Sequence, residues 1–582
     1  MPEFSSPVPL PPIPDDISIP QFIFQPKCMS RPNRPANIPV FVDSATGRAL
    51  FYDEVRQRTF SLANGLSIKY NIAPKDVVCV FAPNDVGMPF TAFCQPKSNL
   101  IADYGSVLCP ANPGYTADEL KHLVSLTDAK LVITHPSCLN VATAAARDRG
   151  IAEDCIILFD SDSAAKYPYT TLSQLMELGR SQLQNYTSVT FKPGEGLTTI
   201  AFLSFSSGTT GKPKAVAIPH ASVIANTMQQ MAHFGIDDPQ RRNNRFSPGD
   251  IGLGVLPFFH ASMEDIYGLV HLHFSVFYGA SIVVVPKFSF EDFLNTIIRY
   301  KITHLYLVPP QIVLLCKHPA VNGRKFDHVK VCLSGAAPLS GDLMSQLAKI
   351  IPNAAIGQGY GMTETGITIG TMPRDRKMGT VGSAGELAPG VRARVVKPDG
   401  TLAEEGEHGE LVVTGPALPK GYYRNPTATA ETFVDGWVYS GDIVYIRNNE
   451  VFVVDRIKEI MKVRGFQVAP AELEGQLLQH PDVADACVVG ILDEYSGELP
   501  LAFVVLSQDA LRRVKDDESK TRRLKEALQK HVADTKIYYK HLVGVEFIES
   551  IPKSPAGKIL RRVLKDQAQR LPPSKAPAKA KL

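Results

Sequence analysis

The chain has 582 residues, 44% hydrophobic and 20% charged, with a formal net charge of +3, an ordinary globular composition at a length that calls for more than one domain. Lys575, Lys579 and Lys581 account for the excess, since residues 571–582 hold no acid; a neutral body argues against nucleic acid as the main partner. No apolar run approaches the ~18 residues needed to cross a bilayer, and the Pro-rich start MPEFSSPVPLPPIPDD lacks a basic segment ahead of an apolar one, so neither a transmembrane segment nor a secretory signal is expected.

In chain order, residues 1–20 read as an extended arm. Phe51 to Asn71 reads as a helix, with Val55, Phe60 and Leu66 near one face, and Val77–Phe81 as a short buried strand. The helix expected next is interrupted at Cys94-Gln95-Pro96-Lys97-Ser98-Asn99, because an interior proline costs a helix ~3 kcal/mol. Strands at Leu131–Thr134, Cys155–Phe159, Ala201–Phe205, Ile282–Pro286, His304–Val308 and Val329–Leu333 alternate with helical stretches, one of them starting at Phe290. Such repeats predict an α/β class of mostly parallel sheets with helices on both faces. From about Gly379 the pattern changes. Val391–Lys397, a turn at Asp399-Gly400 and Glu410–Gly415 suggest a small antiparallel barrel. The charge-dense Asp455–Gly465 stretch reads as an exposed crossing to a compact α+β unit of roughly a hundred residues. In that unit a helix starts at Pro470, strands follow at Ala486–Val489 and Ala502–Leu506, and Leu524, Leu528 and Val532 mark a second helix. The expected division is 1–456, 457–570 and a disordered tail, 571–582. Nine cysteines form no C-x-x-C pair, so buried free thiols are expected in place of zinc or disulfide frameworks. His271 and His273 read as packing or surface residues, not metal ligands.

Between two apolar segments lies Ser206-Ser207-Gly208-Thr209-Thr210-Gly211-Lys212-Pro213-Lys214. Its glycines allow close backbone approach, and its hydroxyls, N–H groups and lysines can wrap a polyphosphate. It is not a Walker loop: Ser206 stands where the first glycine is required, and Pro213 follows Lys212 in place of Ser or Thr. A plain surface loop would not favour two lysines placed here. Further along come Gly357-Gln358-Gly359-Tyr360-Gly361-Met362-Thr363-Glu364, Tyr439-Ser440-Gly441-Asp442, Asp455-Arg456-Ile457-Lys458-Glu459 and Ile551-Pro552-Lys553-Ser554-Pro555-Ala556-Gly557-Lys558. Alone, each is a Gly-rich turn or a solvated charge.

Together these stretches resemble the acyl-adenylate-forming enzymes: acyl-CoA synthetases, luciferases and peptide-synthetase adenylation domains. The likeness spans about residues 45–570 and is nearest to the 4-coumarate–CoA ligase-like and fungal phenylacetate–CoA ligase enzymes. It implies a large N-terminal domain and a smaller, mobile C-terminal one. The reaction it implies joins an aryl or medium-chain acid to coenzyme A through an acyl-AMP made from ATP with Mg²⁺. By the same likeness, Ser206 to Gly211, Lys214, Gln358, Gly359, Tyr360, Gly361, Thr363, Asp442 and Arg456 bind the nucleotide. Glu364 holds magnesium and Lys458 is the hinge. Lys558 serves adenylation; Lys462 and Gln467 serve catalysis, with Arg464, Gly465 and Phe466 beside coenzyme A. His260 precedes the acyl pocket, although Asp265 can also fill that slot. Tyr267, Leu333, Ala336, Gly359, Gly366 and Ile367 line the pocket. An enzyme that hands its acyl group to a carrier protein is the alternative within the family, disfavoured because no carrier domain follows residue 570. A silent binding protein is the alternative outside it, disfavoured by Lys458 and Lys558. The end Ala580-Lys581-Leu582 resembles a peroxisomal address, which implies an import receptor as partner and a peroxisomal location.

Overall fold

The computed structural model describes the chain except residues 1, 26–30, 74, 89–105, 162, 184–190, 207–212, 237–244, 259–269, 465, 494–495, 516, 554–558 and 571–582. The interrupted helix at 94–99 and the C-terminal tail lie outside the described residues.

Four sheets organise the chain. The first runs Lys214–Pro219, Ile200–Ser206, Val107–Ala111, Val77–Phe81, Ala129–Thr134, Ile156–Leu158, Thr170–Thr171. It is parallel except for the first pair, an antiparallel hairpin in which Lys214 faces Ser206. That hairpin departs from the expected β–α alternation, because residues 207–212 leave no room for a crossover helix. The second sheet runs Ala355–Gln358, Val331–Ser334, His304–Leu307, Ile251–Gly254, Ser281–Val284, Phe41–Asp43, Ala49–Leu50, parallel up to its final hairpin. Strands such as Val77–Phe81 are buried throughout, as near-continuous apolar runs covered on both faces must be. Between these sheets lies helix His220–Phe234, with fourteen of its residues buried, including His220, Asn226, Gln229, Gln230 and His233.

Where the sequence suggested a small barrel, a nine-stranded antiparallel sheet forms. It runs from Phe4–Ser5, paired with Arg392 and Ala393, through Trp437–Arg447 and Glu450–Arg456 to Tyr360–Met362. The N-terminal arm is therefore docked. Glu3 pairs with Arg392 and Arg394, and the Ile19–Phe24 helix that ends the arm sends its first N–H to His220 Nδ1 at 3.2 Å. The fourth sheet joins Met461–Val463 and Phe466–Val468 to the long hairpin Val483–Asp493/Gly497–Leu506, with Gly544–Phe547 parallel to Gly497–Leu506. Helices Pro470–Leu478 and Glu518–Ala533 contribute Leu473, Leu477, Leu528 and Val532 to its core. Of the cysteines, Cys79, Cys109, Cys332 and Cys487 are buried, while Cys138, Cys155 and Cys316 are half-buried. Among the described residues, no helix is long and apolar enough to cross a membrane.

Candidate active site

The sheets meet at a tight turn. Strands Tyr360–Met362 and Ile367–Thr371 are antiparallel, joined by the short 3-10 turn Thr363–Thr365 and Gly366. Gly361 is required by space, since a Cβ there would stand 1.4 Å from the Ile367 carbonyl oxygen; at Gly366, which has φ +65°, it would stand 1.7 Å from that of Ala417. The turn packs against both Ile200–Ser206 and Trp437–Arg447, so motifs far apart in sequence converge on it.

Two buried hydroxyls here, Ser206 Oγ and Thr363 Oγ1, have no hydrogen-bond partner among the described residues. Buried polar groups are nearly always paired, so these two are set out for something that enters. Beside them Glu364 is buried, and its Oε1 accepts from the Tyr422 hydroxyl at 2.9 Å. The Lys214 ammonium lies 4.7 Å from the Tyr422 ring centroid. Burial, and then Glu364, push the Tyr422 phenol upward, so it stays protonated and donates. A carboxylate with hydroxyls and an ammonium alongside is the donor set that Mg²⁺ and a phosphate chain require.

On the other side of the turn, Tyr360 donates to Asp442 Oδ2 at 2.6 Å, and Arg456 Nε lies 3.4 Å from Asp442 Oδ1. Asp442 and Arg456 are cross-strand partners, which brings two motifs separate in sequence to one place. Burial, then Asp442, drives the Tyr360 phenol far above its usual range. Gln358 accepts from the Leu339 N–H at 2.7 Å and donates to the Ser383 carbonyl at 2.9 Å. Both ends of its amide thus brace backbone. Gly359 N–H donates to the Ser334 carbonyl.

Leu333 is buried in the second sheet. Close by in sequence, Ala336 has φ +73°, and Ile367 has φ +103°. For a β-branched residue that conformation is strained. It is held from outside: Asn226 donates to the Gly366 carbonyl at 2.5 Å and accepts from Thr368 at 2.9 Å. At the end of strand Ile251–Gly254, Asn84 donates to the Leu256 carbonyl and accepts from Phe258 N–H at 2.8 Å. Tyr422, Asn226 and Asn84 were not marked by the sequence, because each makes its contact with residues far away in the chain.

Strand Glu450–Arg456 leads into the crossing, where Lys458 is exposed. Beyond it Lys462 and Gln467 face each other across a hairpin. Lys462 N–H donates to Glu498 and Arg464 N–H to the Ser496 carbonyl. Phe466 stacks on Tyr539 at 4.4 Å. His260, Tyr267, Gly465, Lys558 and the stretch Ser207 to Gly211 lie outside the described residues.

The AMP-binding enzyme family matches residues 24–423, and the AMP-binding enzyme C-terminal domain matches 472–558. This chain belongs to the AMP-binding enzyme family. Among its relatives, 4-coumarate–CoA ligase 2 of Nicotiana tabacum is 34% identical over 94% of this chain and 95% of its own length. 4-Coumarate–CoA ligase 1 of Arabidopsis thaliana is 33% identical over 95% and 93%. Among solved structures, the anthranilate CoA ligase AuaEII with anthranoyl-AMP superposes with a TM-score of 0.80 at 20% identity, covering 96% of this chain and 99% of that one. A benzoate CoA ligase of Burkholderia xenovorans gives 0.76 at 21%, covering 94% and 100%. These structures share the α/β fold. By the full-length match to ligases, this AMP-binding enzyme is an acid–thiol ligase.

Proposed function

We propose that the enzyme is an ATP-dependent acid–CoA ligase for aryl or medium-chain carboxylic acids. The carboxylate oxygen attacks the α-phosphorus of ATP and the bond to pyrophosphate breaks. The coenzyme A thiolate then attacks the acyl carbon and AMP leaves. The observation that carries this reading is the convergence on one turn of Glu364, the orphaned Ser206 and Thr363 hydroxyls, and the row of buried Tyr360 and Asp442 with half-buried Arg456. In it, Glu364 would hold magnesium, which supplies charge neutralisation on the phosphates. Thr363, Ser206 and Lys214, with the loop Ser207 to Gly211, bind phosphate; Asp442 and Arg456 bind ribose while Tyr360 fixes Asp442. Gln358, Gly359 and Gly361 shape the backbone the nucleotide lies against. Leu333, Ala336, Gly366 and Ile367, with Tyr267, form the acyl wall, and none is charged, which suits an apolar acyl group. Lys558 serves adenylation, His260 stands before the acyl pocket, and Lys462 and Gln467 serve thioester formation with Arg464, Gly465 and Phe466 at coenzyme A.

The test is AMP and acyl-CoA production across hydroxycinnamic, phenylacetic and C6–C12 acids, with ATP, magnesium and coenzyme A. ATP-dependent acyl-CoA formation with at least one of these acids is expected. AMP release without any thioester would overturn the ligase reading in favour of another acceptor. For location, Ala580-Lys581-Leu582 supports peroxisomal import by its receptor. A fluorescent protein fused to the N-terminus should be punctate with Leu582 present and diffuse with it deleted; a diffuse signal with the intact end overturns it.

A further inference from the structure

Asn226 sits in the middle of helix His220–Phe234 and is 1% exposed. Asparagine is an unfavourable choice for a buried helix interior, because its amide competes for backbone groups and is costly to bury unpaired. Here both ends of the amide are paired with one distant segment. The nitrogen donates to the Gly366 carbonyl at 2.5 Å, and the oxygen accepts from the Thr368 hydroxyl at 2.9 Å. A carbonyl can only accept, so the amide has one orientation that satisfies both partners. The two bonds bracket Ile367, whose φ of +103° is a conformation that a β-branched residue keeps only under constraint. The helix is fixed on either side of Asn226. One turn before it, Ser222 donates to the Leu418 carbonyl at 2.9 Å; one turn after it, Gln230 donates to Thr368 Oγ1 at 3.4 Å. The turn that precedes Ile367 is closed in another way. The Thr365 hydroxyl donates to the Met362 carbonyl at 2.9 Å, and Gly366 N–H to the Thr363 carbonyl at 3.2 Å. The segment carrying Thr363 and Glu364 is therefore held by bonds of its own. The Ile367 carbonyl also lies 3.2 Å from the Thr365 hydroxyl, whose single proton has the nearer acceptor in Met362.

We propose that Asn226 is a positioning residue for acyl specificity: it holds Ile367 in its strained conformation, so that the acid meets a wall fixed in one place. The proposal rests on the reading of Ile367 as an acyl wall. No ligand needs to reach Asn226, which acts through the backbone on either side of Ile367. The acid's carboxylate has to meet the phosphate chain beside the Thr363–Thr365 turn, and Ile367 is where the chain leaves that turn. A fixed wall discriminates between acids of different shape, whereas a wall free to relax adapts to each of them. Nucleotide binding does not depend on the bracket, because the turn keeps its own bonds.

The test measures kcat/KM of the full-length enzyme for 4-hydroxycinnamic, phenylacetic and octanoic acids, together with KM for ATP. Asn226→Ala should narrow the spread between the best and the poorest acid by about tenfold and raise KM for the best acid, while KM for ATP stays within about twofold. Thr368→Val keeps the shape and removes one of the two bonds, so it should narrow the spread in the same direction by about threefold. Ile367→Gly adopts positive φ without constraint, so adding Asn226→Ala to it should change the spread no further. An asparagine that serves only the fold would give additive effects in that double variant, or equal effects on acid and ATP; either result overturns the proposal. So does an unchanged spread in Thr368→Val, which decides the matter even if Asn226→Ala does not fold, and so does a wild-type spread near one. Ile367→Gly with the wild-type spread, or no turnover of any of the three acids, overturns the acyl-wall reading itself. That result is distinct from a wall that matters but does not answer to Asn226.

Discussion

Thr363 and Glu364 are neighbours with opposite circumstances. Glu364 has Tyr422 to satisfy one oxygen, while the Thr363 hydroxyl is buried without a partner among the described residues. An orphaned hydroxyl costs the fold ~1–3 kcal/mol, and its natural account is a ligand that the folded chain awaits. Thr363→Val keeps the shape and removes the orphan. Its unfolding midpoint in urea should be equal to or above wild type, while acid-dependent pyrophosphate exchange falls by about tenfold or more. A loss of stability with unchanged exchange would mean that the hydroxyl serves the fold. Glu364→Gln removes a hard anionic ligand but leaves an oxygen for Tyr422. The magnesium needed for half-maximal exchange should rise by roughly tenfold or more; an unchanged titration places the metal elsewhere.

Helix His220–Phe234 was not marked in the sequence, because a helix buried on nearly every side shows no amphipathic stripe. Its polar residues need partners, and these come from distant segments: Gln229 donates to the Pro389 carbonyl, and His233 meets that of Met372. No local pattern encodes such pairings. The same limit explains the Tyr422–Glu364 contact, which crosses 58 residues. By contrast, Val77–Phe81 and the Asp442 and Arg456 motifs were legible, because apolar runs and local glycine or charge patterns are properties of neighbours in sequence. The nine-stranded sheet was not, since it recruits Phe4 and Tyr360 from outside the antiparallel region. The helix also makes a pH prediction. Burial lowers His220 from 6.5 to about 3, so between those values the unfolded chain binds a proton that the folded chain lacks. Its contribution to stability is full above 6.5 and is lost as pH falls, at ~1.4 kcal/mol per pH unit. Nδ1 accepts from Ile19 N–H, a bond that glutamine can replace. His220→Gln should therefore lose about 1 kcal/mol less than wild type between pH 6.5 and 5.5 in urea titrations, while His233, His271 and His304, also lowered by burial, maintain the remaining slope. Identical slopes would show that His220 titrates normally.

At the scale of the whole molecule, the crossing at Lys458 separates two kinds of ionic contact. Arg561 pairs with Glu474 at 2.7 Å and Glu459 at 3.5 Å. Both partners lie after Lys458, so these pairs travel with the C-terminal unit. Asp455 lies before it, yet accepts from Ala471 N–H at 3.2 Å and faces the Arg561 charge. Lys317 likewise reaches across to the Val483 carbonyl at 3.0 Å. A rotation about Lys458 must break the second set and can keep the first, which gives the unit a stiff body on a breakable seat. Lys462 and Lys558 lie far apart in the sequence, and the proposed reaction has two half-reactions to serve. If each lysine enters the site in its own orientation, removing one should affect one half-reaction. Lys558→Ala should lower acyl-AMP formation, read by pyrophosphate exchange, by about a hundredfold or more. Thioester formation from supplied acyl-AMP and coenzyme A should remain within about threefold of wild type, since that step needs no charge at the departing pyrophosphate. Lys462→Ala should give the reverse pattern. Equal loss of both half-reactions in Lys558→Ala would place its ammonium in the site throughout, and a C-terminal unit that never has to leave its seat on Asp455 would then suffice.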